Sequence, residues 1–318
     1  MSHVSYLASP SATRAVLERH GLATKKALGQ NFLVNDSVIA RICELSKVCA
    51  DDAVLEVGPG IGTLTVALLA RAGRVLSVER DTDLPAVLAE TCADFDNFTL
   101  LSKDALTLSQ ADLDEAFGEA AAQGEAPNKF IANLPYAVAA TLVLDFFQRF
   151  SSLQCATVMV QSEVADRMMA KMGTKDYGAY TVKLNLIAKP TGRFQVGPGN
   201  FFPPPHVDSA VLRLDRVTPC DENGDPLPPD LVRASCAMAD AAFASRRKTL
   251  ANSCKTYFAG RGKKDAAIVD RLGELFEMAG VDQKRRGETL EQVEFVRLGK
   301  AYLTLSGGDR GEGGCCGR

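Results

Sequence analysis

Within four residues, Asn133-Leu134-Pro135-Tyr136 supplies an amide, a backbone carbonyl and an aromatic ring. Pro135 fixes its own φ and biases Leu134 toward an extended backbone, so the turn is stiff. The preceding residues Phe130, Ile131 and Ala132 read as a short buried strand, which sets the turn at a strand's carboxyl end. Open α/β sheets bind their ligands at that edge. An amide oxygen and a carbonyl can accept two hydrogen bonds from an exocyclic amine, and a tyrosine face can stack on the attached base. The chemistry on offer is work on the amino group of a nucleobase. An ordinary strand-to-helix turn shares the same residue types, so the decision rests on the rest of the chain.

A second group lies upstream. Ala53–Val57 reads as a buried strand running into Gly58-Pro59-Gly60-Ile61-Gly62, then an amphipathic helix over Thr63–Ala72, then a strand over Arg74–Glu79. This is a βαβ unit. A dinucleotide fingerprint, G-x-G-x-x-G, would need glycine where Thr63 stands, and no Gly-Lys-Ser/Thr follows to make a P-loop. The pattern is instead Glu56-x-Gly58-x-Gly60-x-Gly62, with Glu79 at the next strand end, where a carboxylate can accept two hydrogen bonds from a ribose diol. It resembles the S-adenosylmethionine site of Rossmann-like methyltransferases. Asp104 ends a third strand (Thr99–Ala105) and either accepts a cofactor's adenine amine or caps the segment after it.

These groups need elements to hold them. Helices are expected over Ser11–His20 (capped by Ser11), from Asp36 or Ser37 through Leu45, over Leu84–Cys92, over Ala137–Phe150, over Glu163–Met172 and over Ala179–Ala188. Cys155–Val160 reads as a further strand, and Arg193–Val196 with Ser209–Arg216 as a closing hairpin. Lys25, Lys26, Gly29, Gln30 and Asn31 suit either a solvated linker or a lid over a small-molecule site. The loop from Asn200 to Ser209, with Phe201 and Phe202 ahead of three prolines, suits either a stiff connection or a wall bracketing a flat base. Gln110–Pro127 reads as a surface helix and loop without chemistry.

After a Pro/Asp/Gly-rich linker over Thr218–Pro229 the pattern turns helical: Asp230–Phe243, Ser245–Phe258, Asp265–Met278 and Glu288–Leu305. Basic residues gather here, among them Arg246, Arg247, Lys248, Lys284, Arg285 and Arg286. They fall near helix starts and in loops, where phosphate contacts are easily made. A net charge of -3 does not by itself mark a nucleic-acid binder, so any basic surface is local. Nine cysteines without C-x-x-C spacing and three scattered histidines argue against a zinc site. With no signal peptide and no apolar run of membrane length, the expectation is a cytoplasmic protein without a membrane or metal partner.

Together these stretches resemble the KsgA-type ribosomal RNA adenine dimethyltransferases, from about Lys25 to about Leu305. The resemblance rests on K-x-L-G-Q-N-F-L (Lys26–Leu33), E-V-G-P-G-I-G (Glu56–Gly62), N-L-P-Y (Asn133–Tyr136), Q-S-E-V-A-D-R (Gln161–Arg167), F-x-P-x-P-x-V-x-S (Phe201–Ser209) and R-R-K-T-L-x-N (Arg246–Asn252). It implies a Rossmann-like α/β sheet with a C-terminal all-helical domain. It also implies methyl transfer from S-adenosylmethionine to N6 of two adjacent adenines near the 3′ end of small-subunit rRNA, within a partly assembled 30S subunit. Carried over by motif, Asn31, Leu33, Gly58, Gly60, Glu79, Asp104 and Asn133 would line the cofactor site. Asn133, the Leu134 carbonyl and Tyr136 would hold the target base, with Phe201 or Phe202 opposite, and Arg246, Arg247 and Lys248 would meet RNA. The implied division is an extension over 1–24, a cofactor-binding domain over 25–217, a helical rRNA-binding domain over 218–305 and a disordered tail over 306–318. This chain departs from the family pattern in Ala137-Val138-Ala139-Ala140 after Tyr136, in Arg80 after Glu79, and in an enlarged Gln110–Pro127 stretch. A sister enzyme acting on large-subunit rRNA shares the cofactor motifs and N-[LI]-P-Y, but the Arg246–Asn252 motif and the long helical region argue against it. A non-catalytic assembly factor would not need Glu79, Asp104 and Asn133 intact.

Overall fold

A computed structural model of the chain describes residues 4–24, 30–122, 124–260 and 267–307. It divides into two compact units, Met1–Ala165 with Ala188–Arg216, and Asp166–Ile187 with Val217–Arg318. The division is discontinuous, whereas the sequence suggested a linear one. A stretch of about twenty residues ahead of the closing hairpin belongs to the helical unit.

The first unit begins with α1 (Pro10–Arg19). Ser9 caps it rather than Ser11, accepting the Ala12 N–H at 3.1 Å, because Pro10 occupies the first helical position, where a missing N–H costs nothing. Val16 and Leu17 of α1, with Leu7, are buried in the core of this unit. Through these side chains the segment ahead of residue 25 contributes to that core. After β1 (Phe32–Leu33) comes α2 (Asp36–Ser46), capped by Asn35. Asp36 instead accepts the Val4 and Ser5 N–H groups at 3.0 and 2.8 Å, which ties the N-terminal segment down.

The chain continues through β2 (Ala53–Val57), α3 (Thr63–Leu69), β3 (Arg74–Glu79), α4 (Leu84–Thr91) and β4 (Phe98–Ser102). There follow α5 (Gln110–Phe117), α6 (Glu119–Ala122), β5 (Lys129–Asn133), α7 (Ala139–Arg149) and β6 (Cys155–Gln161). Next are α8 (Ser162–Met168), α9 (Ala179–Ile187), β7 (Ala188–Val196), β8 (Phe201–Phe202) and β9 (Ser209–Arg216). The Gln110–Pro127 stretch is thus two helices, the first opened by a Ser109/Asp112 capping box and burying Leu113 and Phe117.

Seven strands form one sheet in the order β4-β3-β2-β5-β6-β9-β7. The strands from β4 to β6 are parallel, and β9 and β7 close the edge antiparallel. Strands covered on both faces read as unbroken apolar runs, and Val54, Leu55, Leu76, Phe130 and Ile131 are fully buried. The chain runs from β2 outward through β3 and β4, then returns to the other side of β2 as β5. The order therefore reverses between β2 and β5, and a crevice opens at such a switch point beyond the strands' carboxyl ends. The closing hairpin is longer than expected: α9 yields to β7 at Ala188, and the register shifts between Pro190 and Gly192. Separately, β1 and β8 pair antiparallel, Phe32 with Phe202 and Leu33 with Phe201.

The second unit packs α9 with α10 (Pro229–Phe243), α11 (Leu250–Ala259), α12 (Leu272–Ala279) and α13 (Gln292–Gly307). Gly299 lets α13 lie against α10, since a Cβ there would stand 2.6–2.9 Å from Ser235. The helix expected from Ser245 begins only at Leu250. Residues 245–249 form a turn, stabilised by the Ser245 N–H to Ser253 Oγ bond at 2.9 Å, and the Leu250 N–H reaches the Arg285 carbonyl at 2.7 Å. The expected Asp265–Met278 helix is α12 from Leu272, with residues 265 and 266 outside the described ones. The expected Glu288–Leu305 helix is a short 3-10 turn over Gly287–Thr289 followed by α13. The tail from 308 also lies outside the described residues. Among the described residues, no helix is long and apolar enough to cross a membrane.

Candidate active site

A cavity of about 420 Å³ occupies the switch point of the first unit, a volume in the range of small-molecule sites. Its walls come from the ends of β2, β3 and β5, from the segment after β4 and from Gln30–Leu33. Gly58, Gly60 and Gly62 have φ of +71°, +62° and +91°, a backbone that L side chains rarely adopt. At Gly60 a Cβ would also come within 3.0 Å of the Phe32 ring, so β1 presses against the glycine loop. Pro135 lies against the other end of that loop, its Cδ 3.5 Å from where a Gly58 Cβ would stand. The two turns that line the cavity thus support one another.

Carboxylates mark one side of it. Glu79 is buried and accepts the Asp81 N–H at 2.8 Å. Burial pushes its carboxyl above the usual range, against the pull of the Asp81, Gly60 and Arg80 amides. Asp104 caps the segment after it, one of the two roles expected of it. One oxygen caps the 3-10 turn through the Leu106 N–H at 3.0 Å, and the other stands 3.6 Å from the Arg80 guanidinium, with both side chains well exposed. Glu56 is the deepest acid. Burial raises it to about 7, although the Ser77 and Thr65 hydroxyls donate to it at 2.7 and 2.8 Å and lower it, and the Glu79 charge adds to the rise.

On the other side stands the β5 turn. The Asn133 Nδ2 donates to the Asn31 carbonyl at 3.3 Å. A carbonyl oxygen can only accept, so this contact assigns the amide's nitrogen end and leaves Oδ1 as the end available to a ligand's donor. The Leu134 N–H bonds to the Met159 carbonyl at 3.1 Å, which anchors the turn to β6. The Tyr136 hydroxyl lies 2.6 Å from the Ser209 Oγ at the start of β9, and burial raises its phenol above the ordinary value.

A family model of ribosomal RNA adenine dimethylases matches residues 21–297. The chain belongs to the ribosomal RNA adenine dimethylase family. It is 38% identical over 308 residues to the ribosomal RNA small subunit methyltransferase A of Pelotomaculum thermopropionicum, covering 95% of this chain and 99% of that one. Its fold is that of a dimethyladenosine transferase from Plasmodium falciparum, with a TM-score of 0.67, 22% identity, and 87% and 98% of the two chains covered. The 23S rRNA methyltransferase ErmE aligns with a TM-score of 0.57 at 25% identity, covering 85% of this chain and 99% of that one.

Adenine dimethylases are S-adenosylmethionine-dependent, and the cavity's chemistry fits that cofactor. Glu79 offers acceptors for a diol, Asp104 an acceptor for an amine, and the glycine loop close backbone approach. Asn31, Leu33, Gly58, Gly60, Glu79, Asp104, Asn133, Leu134 and Tyr136 all line the cavity. Lys25, Lys26 and Gly29 lie outside the described residues.

Other residues carried over by motif stand elsewhere. Phe201 is 4% exposed and is packed in the core of the first unit. Phe202 is half-buried, with the Arg14 guanidinium 5.4 Å above its ring, and neither phenylalanine is among the cavity's lining residues. Their pairing with β1 explains this, because the β1 partner Phe32 is the ring that reaches the cavity. In the second unit, Arg246 donates to the Lys175 carbonyl at 2.6 Å and pairs with Glu288 at 3.0 Å, while Arg247 and Lys248 are exposed. Sequence reasoning did not single out Phe32, Thr63 or Ser209. Ser209 ends the F-x-P-x-P-x-V-x-S motif, and its distance from Tyr136 in the chain hid the contact. Thr63 entered as the residue that breaks the dinucleotide fingerprint and opens the next helix.

Proposed function

We propose that this chain transfers methyl groups from S-adenosylmethionine to N6 of two adjacent adenines near the 3′ end of small-subunit rRNA. We infer further that its substrate is a partly assembled 30S subunit in the cytoplasm. One observation carries the reading of the site: the Asn133 amide, oriented by the Asn31 carbonyl, lines a cavity at the switch point beside the Leu134 carbonyl.

An adenine amine is a weak nucleophile because its lone pair is delocalised into the ring. The Asn133 Oδ1 and the Leu134 carbonyl hold the two N6 hydrogens and favour a pyramidal nitrogen with a localised lone pair. Positioning supplies most of the acceleration, helped by two acceptors facing the positive charge that develops on N6. Tyr136, tethered through Ser209, offers its face to the base. The bound cofactor supplies an electrophilic methyl on a sulfonium. The alkylated amine is acidic and loses its proton toward Oδ1 and solvent, so no strong base is required. After the first transfer one N6 hydrogen remains, and one of the two acceptors suffices to hold it. Arg247 and Lys248 meet RNA phosphate.

The family match favours adenine, and higher identity to the small-subunit relative than to the 23S enzyme favours the small subunit. The test is methyl transfer from labelled S-adenosylmethionine to small subunits from a strain lacking the modification, with mapping of the product. Dimethyladenine near the small-subunit 3′ end is the expected result. Label only on large-subunit RNA would overturn the substrate, and no label on any RNA would overturn the activity.

A further inference from the structure

The Asn31 carbonyl sets the direction of the Asn133 amide, so whatever holds Asn31 also holds the acceptor. On one side of Asn31 the chain enters β1, where Phe32 pairs with Phe202 and lies against the glycine loop. On the other side stands Gln30. Its Nε2 donates to the Asp81 Oδ2 at 2.7 Å, and the second oxygen of that carboxylate accepts the Asp83 N–H at 3.1 Å. Asp81 is buried, and its own N–H is the one that Glu79 accepts at 2.8 Å. A hydrogen bond to a buried carboxylate is among the stronger kinds. The Asn31 peptide thus lies between two anchors and cannot turn without disturbing one of them.

The strand order gives these contacts a use. Glu79 ends β3, Asn133 ends β5, and β2 lies between the two strands. Two strand spacings, roughly 10 Å, separate them, and no ladder bond joins one to the other. Methyl transfer needs the donor on the Glu79 side and the acceptor on the Asn133 side in one fixed relation. Gln30 and Asn31 reach both: the first bonds to Asp81 just after β3, the second to the end of β5. A continuous path therefore runs from the Glu79 carboxylate through the Asp81 N–H, the Asp81 carboxylate, the Gln30 amide and the Asn31 carbonyl to Asn133.

We propose that Gln30 is a positioning residue: its bond to Asp81 fixes the Asn31 carbonyl and, through it, the direction of the Asn133 acceptor. The proposal rests on the methyl-transfer reading above, and the test separates the two. Single-turnover methyl transfer to small subunits at saturating S-adenosylmethionine would be compared in wild type, Gln30→Glu, and Gln30→Glu with Asp81→Asn. The first change sets two carboxylates against each other and should slow transfer on the order of 10-fold, with S-adenosylhomocysteine affinity by calorimetry unchanged. The second restores one donor facing one acceptor, while its amide oxygen still accepts the Asp83 N–H, so the rate should return to that of wild type. In an Asn133→Ala background Gln30→Glu should slow transfer no further, because the group it orients is gone. A wild-type rate in Gln30→Glu overturns the proposal. So does a loss that the double change does not restore, a loss that persists in full without the Asn133 amide, or one that appears in S-adenosylhomocysteine affinity instead of rate. If wild type transfers no methyl group, the activity reading fails and the proposal with it.

Discussion

The polar groups around the cavity of the first unit and two bases of the second, Arg247 and Lys248, are held in opposite ways. Around the cavity nearly every polar side chain has a named partner: Asn133 with Asn31, Tyr136 with Ser209, Glu79 with the Asp81 amide, Glu56 with Thr65 and Ser77. In the second unit Arg247 and Lys248 stand exposed in a turn, whereas their neighbour Arg246 is tied to Glu288 and the Lys175 carbonyl, and Arg285 is paired with Glu294. Groups that must meet an atom at a set distance need orientation fixed beforehand. Groups that meet a phosphate backbone need charge and reach, and the phosphate supplies the geometry. The contrast predicts that changes in the first unit alter turnover, whereas changes to the exposed bases alter affinity and its dependence on salt.

The largest effect tests the first half of that contrast. Asn133→Ala removes the oriented acceptor and should lower kcat roughly 100- to 1000-fold, with RNA binding within a few-fold of wild type. A loss confined to RNA affinity would break the comparison, because it would make Asn133 a binding group only.

Glu56 sharpens the comparison from the side of stability. Its carboxyl is raised from 4.5 to about 7 by burial, with the Glu79 charge adding to the rise. The folded chain therefore holds that proton more tightly than the unfolded chain does. The associated stability is present at low pH and is lost as pH rises from about 4.5 through about 7. The loss is on the order of 3 kcal/mol at most. Glu56→Gln mimics the protonated form and should flatten this slope, as measured by denaturant unfolding at pH 5 and pH 8. Retention of the wild-type slope in the variant would assign the slope to another group.

Much of this arrangement was legible in the sequence, because the βαβ pattern and the motif spacing are local. The strands Ala53–Val57 and Arg74–Glu79 lie where periodicity places them, and the cofactor-lining residues named by motif do line one cavity. Pairings between distant segments were not legible. Nothing local says that Phe32 pairs with Phe202, which puts Phe32 at the cavity wall and Phe201 in the core. Nor does anything local say that Ser209 reaches Tyr136 across 73 positions. Helix starts also moved wherever a cap competed, as when Ser9 displaced Ser11 beside Pro10. A cap is decided by which neighbour can give up its N–H, and propensity alone does not rank two nearby serines.

The Ser209 contact predicts a moderate effect. A buried hydroxyl–hydroxyl bond contributes about 1 kcal/mol, so Ser209→Ala should lower kcat about 5-fold by loosening the Tyr136 ring. Cofactor affinity should stay unchanged. Tyr136→Phe should match it, and the double variant should lose no more than either single one, because both remove the same bond. Additive losses in the cycle would show that the two hydroxyls act separately.

The smallest effects come from the second unit, and there the neighbours in one turn should behave differently. Arg247→Ala with Lys248→Ala removes two exposed cations. The slope of log affinity against log salt should fall by about 2, and RNA affinity several-fold at moderate salt, with kcat unchanged. Arg246→Ala removes a residue whose guanidinium is already engaged by Glu288 and the Lys175 carbonyl. It should leave the salt slope as it is and lower the stability of the helical unit by no more than about 1 kcal/mol, the usual range for a half-exposed pair. If Arg246→Ala changes the salt slope as much as the double variant does, the guanidinium exchanges Glu288 for phosphate when RNA binds. The division between tied and exposed groups would then hold only for the free protein. If the double variant lowers kcat at saturating RNA, the exposed bases contribute to orientation as well as to affinity, and the contrast between the units fails at the point where it is easiest to test.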